Sequence, residues 1–180
     1  MADTLARWHG VNVVTSAALL AERLQLQPHP EGGWYRELHR SSVMVTREDG
    51  SRRCGLTQII FLLPEQGLSR WHRVIGSDET WQFIAGDSLE LWTLPPLGGT
   101  STCIELGAFS LLDEAAQLSS GATRKPLTVV PADWWQAARC LGHWSLVSCC
   151  VGPGFEFQDF QLLRDWPQQD HPSGALPELL

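Results

Sequence analysis

One stretch near the middle of the chain reads Gly67-Leu-Ser-Arg-Trp-His-Arg-Val-Ile-Gly-Ser-Asp-Glu-Thr-Trp-Gln-Phe-Ile-Ala-Gly-Asp87. His72 and Glu79 are the histidine and the carboxylate whose neighbours in the sequence predict an apolar pocket. The β-forming residues that follow Glu79 predict that His72 begins one strand and Glu79 the next. Because side chains alternate along a strand, Glu79, Trp81 and Phe83 share one face. A carboxylate among aromatic rings must be paired, hydrogen-bonded or bound to a ligand or metal, since burying it alone costs too much free energy.

The spacing of this stretch resembles the first sequence motif of the cupin superfamily, G-x5-H-x-H-x3–4-E-x6-G. In that family the two histidines and the glutamate point into a small β-barrel and hold a divalent metal. Here Val74 stands at the second histidine position. The segment Val129-Val-Pro-Ala-Asp-Trp-Trp-Gln136 resembles the second motif, with Asp133 in place of the usual glycine and Gln136 in place of the third histidine. Two of the four usual metal ligands are therefore replaced.

Four blocks in order resemble one cupin subfamily, DUF985 or cupin 5. They are Pro28-His-Pro-Glu-Gly-Gly-Trp-Tyr-Arg-Glu37, Trp71-His-Arg-Val-Ile-Gly-Ser-Asp-Glu79, Val130-Pro-Ala-Asp-Trp-Trp-Gln-Ala138 and Pro153-Gly-Phe-Glu-Phe-Gln-Asp-Phe160. The resemblance implies an all-β fold, the double-stranded β-helix or jelly-roll barrel, preceded by a short N-terminal helix. We expect an N-terminal arm over residues 1–14, the jelly-roll domain over 15–163 and a C-terminal tail over 164–180.

Length and composition narrow the class of protein. A chain of 180 residues is expected to form one domain with a real core. The formal net charge of −7 argues against binding to nucleic acid or to anionic membrane surfaces. No apolar run is long enough for a membrane span, and the N-terminus lacks the pattern of a signal peptide, so we expect a cytoplasmic protein. Five cysteines without metal-binding spacing predict reduced, mostly buried thiols.

Periodicity and turn residues predict the elements. Ser16 or Thr15 is a candidate N-cap for a helix from about Ala17 to Leu24. The Asp49-Gly50 pair predicts a hairpin turn. Strands are expected over 34–41, 57–63, 89–94, 102–106, 128–130, 134–138, 144–151 and 155–163, and a short helical or irregular segment over 111–120.

The candidate catalytic residues are His72 and Glu79, which are expected to face a central cavity, and Tyr35, the single phenol of the chain. The cavity is expected to be completed by ligand-binding side chains from several strands, namely Glu31, Arg36, Gln58, Trp81, Gln136 and Asp159. The histidines with loop or strand-surface contexts and no obvious partner are expected to be incidental; they are His9, His39, His143 and His171.

Three functions remain open at this point. In the first, a small-molecule ligand such as a carbohydrate or sugar nucleotide undergoes isomerase or epimerase chemistry, with His72 as general base near neutral pH. In the second, the protein is a metal-dependent cupin enzyme, and His72, Glu79 and Gln136 are weak candidate ligands for a divalent metal. An amide is a poor metal ligand, so tight binding is not expected, and no cofactor is predicted to be required. In the third, the protein only binds a ligand between aromatic walls. A homodimer is expected in each case, because jelly rolls leave sheet edges to cover and the resemblance implies it.

Overall fold

A computed structural model describes residues 16–108 and 124–180 of the chain. The expected arm over residues 1–14 and the expected segment over 111–120 lie outside the described residues. Within them there is one α-helix, α1 (Ala17–Arg23). Ser16 caps it, because its hydroxyl oxygen accepts a hydrogen bond from the backbone N–H of Leu19 at 3.2 Å. No helix of the described residues is both long and apolar enough to cross a membrane.

The described residues form fourteen strands and four short 3-10 helices. The strands are β1 (Gln27–Pro28), β2 (Trp34–Arg40), β3 (Met44–Thr46), β4 (Arg52–Cys54), β5 (Thr57–Pro64), β6 (Leu68–Val74), β7 (Asp78–Gly86), β8 (Leu89–Leu94), β9 (Thr102–Leu106), β10 (Arg124–Lys125), β11 (Leu127–Val130), β12 (Trp135–Cys140), β13 (Trp144–Gly152) and β14 (Phe160–Leu162). The 3-10 helices span Phe157–Asp159, Leu163–Asp165, Gln168–Asp170 and Pro177–Leu179.

Two six-stranded sheets face each other and make the jelly roll. The first has the order β1-β2-β5-β13-β7-β11 and the second the order β10-β9-β8-β12-β6-β14, while β3 and β4 form a separate hairpin. Pairing is antiparallel except between β9 and β10. The fold predicted from the sequence, an all-β jelly roll with a short N-terminal helix, is confirmed, and it has the form of two facing sheets.

The main core lies between the two sheets. Inward side chains of the first sheet, such as Phe61, Trp81 and Val147, pack against Leu91 and Ala138 of the second. These side chains are almost fully removed from water. Burying a leucine or phenylalanine side chain stabilises the fold by roughly 1.5–3 kcal/mol. A slip of one residue would turn these side chains toward the other face of the sheet, so their burial fixes the register of both sheets.

The C-terminal segment packs on the outer face of the second sheet, and so the expected tail is part of the folded structure. Trp71 donates a hydrogen bond from Nε1 to the carbonyl oxygen of Leu176 at 3.0 Å. The ring of Trp166 meets the ring of Trp135 edge to face, and Leu179 is buried in the same cluster. The few apolar residues of this segment suffice because they pack into one buried cluster with Trp71, Leu94 and Trp135.

The stretch expected as one strand over 155–163 is broken by the 3-10 turn Phe157–Asp159, and only Phe160–Leu162 pairs with β6. The turn brings Asp159 to two arginines from the β3–β4 region. Its carboxylate accepts two hydrogen bonds of 2.7 Å from Arg53 and one of 3.1 Å from Arg47. Burial alone would raise the pKa of the Asp159 carboxyl, but the two arginines hold it below its usual range.

Asp159→Asn is therefore expected to lower the free energy of unfolding by about 3 kcal/mol, because it leaves buried guanidinium groups without their counter-charge. Chemical denaturation at neutral pH measures the loss. The matched control is Glu90→Gln, which breaks a more exposed ion pair with Arg139 and should cost about 1 kcal/mol or less. Equal losses in the two variants would contradict the assignment of Asp159 as the anchor of this turn.

Each sheet ends in two edge strands, β1 and β11 in the first sheet and β10 and β14 in the second. Open edges are a risk for uncontrolled pairing, so proteins cover or blunt them. The homodimer stays a prediction on this ground. Light scattering at micromolar concentration is expected to give twice the chain mass of 20.0 kDa, and a monomer would refute it.

Candidate functional site

A cavity of about 230 Å³ lies between the two sheets. Four titratable side chains, His29, Glu31, His72 and Glu79, contribute to its wall. The remaining lining is largely aromatic and aliphatic, with charged residues at the rim; it consists of Gln27, Tyr35, Glu37, Arg40, Ile59, Phe61, Val74, Cys149, Val151, Phe155, Glu156, Phe157 and Phe160. The cavity is thus a mostly apolar space with a compact polar group.

The carboxylate of Glu31 is the centre of that polar group. Its Oε2 atom lies 3.1 Å from Nδ1 of His29 and 3.3 Å from Nε2 of His72. Its Oε1 atom accepts a hydrogen bond of 2.7 Å from the hydroxyl of Ser69. Glu31 is 5% exposed, so these contacts replace nearly all of its hydration. One carboxylate oxygen of Glu31 therefore lies within ion-pair distance of two imidazoles, and we call these three residues the His–Glu–His unit.

A tight turn positions His29 and Glu31. The backbone N–H of Gly32 donates to the carbonyl of His29 at 3.0 Å, and the N–H of His29 donates to the carbonyl of Gly33 at 3.1 Å. Gly32 and Gly33 both have positive φ, 116° and 65°. A Cβ at Gly32 would lie 2.1 Å from the carbonyl oxygen of Leu68. This turn therefore requires glycine, which explains the Gly-Gly pair that follows Glu31 in the sequence.

Strand β6 positions His72. Its neighbours across the sheet are Gln136 on β12 and Leu162 on β14. The Nδ1 atom lies 2.8 Å from the carbonyl oxygen of Arg70. A carbonyl oxygen accepts only, so Nδ1 carries the hydrogen and donates it. This bond fixes the ring so that Nε2 points at Glu31.

A second carboxylate, Glu79, belongs to a different hydrogen-bonded chain. The indole Nε1 of Trp81 donates to Oε1 of Gln136 at 2.8 Å, and Nε2 of Gln136 donates to Oε2 of Glu79 at 2.5 Å. The indole is a donor only, so it also fixes which end of the Gln136 amide faces Glu79. Gln136 and Trp81 lie directly behind Glu79, almost fully buried.

The two carboxylates have opposite electrostatic environments. Burial raises the pKa of the Glu79 carboxyl, and the nearby His72 and the Gln136 hydrogen bond do not compensate for it. Burial would also raise the pKa of Glu31, but the charges of His72 and His29 and the hydrogen bonds outweigh it, so its pKa lies below the usual value. Burial also raises the pKa of the Cys149 thiol well above its usual range, and Glu79 adds to the effect. The cavity therefore combines one carboxyl group whose pKa is lowered with one whose pKa is raised.

The structure brings together some of the residues predicted from the sequence and separates others. Glu31, Tyr35, His72 and Glu79 line the cavity, while Gln136 and Trp81 form the layer behind Glu79. The remaining three predicted ligand-binding residues lie elsewhere; Arg36 hydrogen-bonds Gln25 at the surface, Gln58 hydrogen-bonds Ser148, and Asp159 is occupied by its arginines.

The outward position of Gln58 has a simple reason. Ile59 and Phe61 on the same strand line the cavity, so the alternating residues Gln58, Ile60 and Leu62 face the other side of the sheet. The same alternation sends Arg36 outward next to the inward Tyr35.

Sequence reasoning missed His29. It lies outside the His72–Glu79 motif, and its partner Glu31 is only two residues away in a turn rather than on a strand. The signal was available in the Pro28–Glu37 block, where a histidine and a glutamate flank a proline directly before two glycines. The aromatic wall formed by Phe155, Phe157 and Phe160 was also missed.

The donor set does not fit the metal centre implied by the fold. Two of the usual ligand positions hold Val74, which lines the cavity as an apolar group, and Gln136, whose amide is bonded to Trp81 and Glu79. Among residues 16–108 and 124–180, no group of three or more His, Cys, Asp or Glu side chains is arranged to hold a metal ion. We therefore derive no chemistry through a metal.

Comparison with known proteins identifies relatives by sequence and by fold. The family model described as cupin superfamily (DUF985) matches residues 18–163. A hypothetical protein from Leishmania major is 32% identical, with a TM-score of 0.70 over 86% of this chain and 89% of that chain. A protein from Shewanella oneidensis is also 32% identical, with a TM-score of 0.68 over 82% of this chain and 84% of that chain.

More distant structures share the fold alone. An oxalate decarboxylase mutant from Bacillus subtilis is 17% identical, with a TM-score of 0.52 over 78% of this chain and 30% of that chain. No functionally curated protein matches the chain.

The opposite environments of the two carboxylates predict opposite effects on stability. Glu79→Gln is expected to leave the free energy of unfolding at pH 7 unchanged or to raise it by about 1 kcal/mol. Glu31→Gln is expected to lower it, because it removes the charge that both imidazoles face.

The pH dependence separates the two effects. The folded pKa of Glu79 is raised, so the folded wild type loses stability as the pH rises from about 4.3, the usual value for an unfolded glutamate, to the raised folded value. The stability that Glu31 contributes is present above its unfolded pKa and is lost as the pH falls through its lower folded value. Denaturation of both variants and the wild type between pH 4 and pH 8 measures this. A Glu79→Gln variant that is less stable than Glu31→Gln at pH 7 would show that we have assigned the carboxylates the wrong way round.

Proposed function

Since the chain belongs to the DUF985 family of the cupin superfamily, we propose that it binds a small neutral molecule in the cavity and moves a proton on it. The reaction class is isomerisation or epimerisation of a carbohydrate. The observation that carries this proposal is the pair of buried carboxylates, Glu31 and Glu79, at one cavity with pKa values displaced in opposite directions. Titratable groups whose environments separate their pKa values are the arrangement that acid and base catalysis needs.

The size of the cavity favours a small ligand. Its volume of about 230 Å³ is below the roughly 300–1,000 Å³ of pockets that enclose drug-sized molecules. A single sugar ring or its open-chain form matches this space better than a sugar nucleotide, whose nucleotide would have to remain outside. The rings of Phe61, Phe155 and Phe160 offer flat apolar walls for such a molecule.

The charges around the cavity favour a neutral ligand over an anion. Four carboxylates line it, against one guanidinium, that of Arg40. Arg40 is already paired, because it lies 2.8 Å from carboxylate oxygens of both Glu37 and Glu156. A phosphate or a carboxylic acid would meet uncompensated negative charge here, whereas sugar hydroxyls can both donate and accept hydrogen bonds.

The proposed step is balanced within the protein and the ligand. A base in the cavity accepts the proton from the carbon next to the ligand carbonyl, and the electron pair of that C–H bond forms a carbon–carbon double bond. The carbonyl oxygen then carries the charge, and a hydrogen bond from the carboxyl of Glu79, a cavity residue whose pKa is raised by burial, would stabilise it. In isomerisation, the base returns the proton to the former carbonyl carbon, the hydroxyl proton on the carbon that lost its hydrogen passes to the former carbonyl oxygen, and the new carbonyl forms at that carbon. In epimerisation, a proton donor on the opposite face protonates the same carbon, the base keeps the first proton, and the carbonyl forms again. Neither route needs an oxidant.

A ligand-binding protein without catalysis is the second candidate. The same aromatic wall and the same hydrogen-bonding groups would serve it, and the exposed Phe157 at the rim would close over a bound ring by packing alone. Exchange of carbon-bound hydrogen separates the two candidates, because binding without chemistry leaves the ligand's C–H bonds intact.

We expect the wild type to exchange carbon-bound hydrogen of a neutral five- or six-carbon aldose or ketose when incubated in deuterium oxide. Mass spectrometry of molecules released from the purified protein selects the sugar, and proton NMR follows the exchange. Glu31→Gln and Glu79→Ala are expected to slow it by about 100-fold or more, the typical contribution of general acid–base catalysis. Glu90→Gln, in an ion pair with Arg139 on the second sheet, is the matched control and should exchange at the wild-type rate.

Two outcomes would replace this proposal. Tight binding of the released molecule without exchange would favour the ligand-binding protein. Exchange that disappears after chelation and returns with a divalent metal would favour the metal-dependent enzyme, against the donor set described above.

A further inference from the structure

Both ring nitrogens of His72 are engaged by the protein. Nδ1 donates to the carbonyl oxygen of Arg70 at 2.8 Å, and Nε2 faces the carboxylate of Glu31 at 3.3 Å. The side chain is 2% exposed. A ligand in the cavity therefore finds the edge of this ring, but no nitrogen lone pair that is free to accept a proton.

His29 has the complementary arrangement. Its Nδ1 lies 3.1 Å from Oε2 of Glu31. The backbone N–H of Glu31 also approaches Nδ1, at 3.5 Å, but the shorter contact with the charged oxygen decides that Nδ1 carries the hydrogen. Nε2 is then the nitrogen with the lone pair, and it has no hydrogen-bond partner among the described residues.

The Nε2 atom of His29 is accessible, and its imidazole lines the cavity. Within the described residues, the enclosed side-chain nitrogen and oxygen atoms without a partner are Nε of Arg47 and Oγ of Ser51, so the unpaired Nε2 of His29 is not enclosed. His29 is a lining residue, and four aromatic rings surround its imidazole. The contacts are edge-on with Tyr35 at 4.7 Å, with Phe160 at 5.4 Å and with Phe61 at 6.1 Å, and stacked with Phe157 at 6.0 Å between ring centres.

We propose that His29, rather than His72, is the base that exchanges a proton with the ligand, and that His72 is a positioning residue that holds Glu31. This inference rests on the proposed function. In the step, the ligand's C–H proton goes to Nε2 of His29, and the positive charge that forms on the imidazole is stabilised by Glu31 through Nδ1–H. In isomerisation, the proton returns from Nε2 to the product, so the histidine is neutral again at the end.

The arrangement follows a general rule for a histidine base. A carboxylate on Nδ1–H fixes the tautomer and the ring orientation and leaves Nε2 as the acceptor. Glu31 does this for His29. His72 supports the same carboxylate from the other side, since its Nε2–H donates to Oε2 whenever its ring is charged. Ser69 holds the other oxygen, so the carboxylate cannot rotate away.

The tautomers can be measured without any ligand. Long-range proton–nitrogen NMR of the full chain labelled with ¹⁵N-histidine is expected to show His29 with the hydrogen on Nδ1 and an unprotonated Nε2. His72 is expected to show a protonated Nδ1. Assignment uses His29→Asn and His72→Gln. A His29 ring with the hydrogen on Nε2 would overturn the inference.

Chemical modification gives a second ligand-free measurement. Diethyl pyrocarbonate acylates accessible, unprotonated imidazole nitrogens, and peptide mass spectrometry locates the product. We expect His29 to be modified and His72 to be protected at least tenfold in rate. Faster modification of His72 than of His29 would overturn the inference.

Two substitutions then separate the roles in the exchange reaction. Asparagine at position 29 keeps a donor where Nδ1 was and removes the Nε2 lone pair, so His29→Asn is expected to slow exchange by about 100-fold or more while the ligand's KM changes little. Glutamine at position 72 keeps a donor where Nε2 was, so His72→Gln is expected to retain exchange within about tenfold. Wild-type exchange by His29→Asn would overturn the inference.

The pH profile shows whether His72 acts through Glu31. Removing the His72 charge raises the pKa of the Glu31 carboxyl, so the acid limb of the exchange rate should move to higher pH in His72→Gln. The other titratable groups at the cavity are the same in this variant; they are His29, Tyr35, Glu37, Arg40, Glu79, Cys149 and Glu156. An unmoved acid limb would show that His72 does not position Glu31.

Failure of the proposed function and failure of this inference are distinguishable. If the wild type exchanges no ligand hydrogen, the proposed function fails, and the tautomer and modification measurements still decide whether His29 is the open imidazole. If the wild type exchanges hydrogen and His29→Asn does so equally fast, the function stands and the assignment of the base falls.

Discussion

The negative charge of Glu31 must be compensated inside the protein, and much of the site's geometry follows from that requirement. An isolated carboxylate at 5% exposure would oppose folding strongly, so its oxygens need donors from several directions. His29 comes from the turn before β2, His72 and Ser69 from β6 of the opposite sheet. The His–Glu–His unit therefore ties the N-terminal part of the first sheet to the second sheet. The need to place His29 and Glu31 together also explains the Gly32-Gly33 turn, whose backbone conformation requires glycine.

Burial by itself does not decide the charge of a carboxylate here. Glu31 and Glu79 are both removed from water, and burial is the largest influence on each pKa. The difference lies in the partners. Glu31 faces two imidazoles that can carry positive charge, whereas Glu79 receives its hydrogen bond from the neutral amide of Gln136. A neutral donor compensates a charge only partly, so the pKa of Glu79 is raised while that of Glu31 is lowered within the same cavity.

The sequence predicts the strands well and the site only in part, for a physical reason. Alternation reports which residues share a face, and it gives β5, β8, β9 and β13 close to their observed bounds. It does not report which face is inward: Gln58 was expected in the cavity, but the opposite face of β5 carries Ile59 and Phe61 into it. The turn Phe157–Asp159 was expected as strand, because the pairing of Asp159 with arginines far away in sequence leaves no periodic signal in the segment. His29 was missed because a contact between a turn and β6 leaves no periodic trace.

The two replaced positions of the cupin motif change the groups that surround the Glu79 carboxylate. In ordinary cupins a divalent cation compensates the glutamate of the first motif. Here Gln136 gives Glu79 a hydrogen bond in place of a histidine ligand, and Val74 presents an apolar wall. Burial raises the pKa of the Glu79 carboxyl, whereas Glu31, which faces the imidazoles of His29 and His72, has a pKa below its usual value. A cavity that places two carboxyls with opposite pKa shifts beside two imidazoles contains the groups that proton transfer to and from a ligand needs, and this is the physical basis of the proposed function.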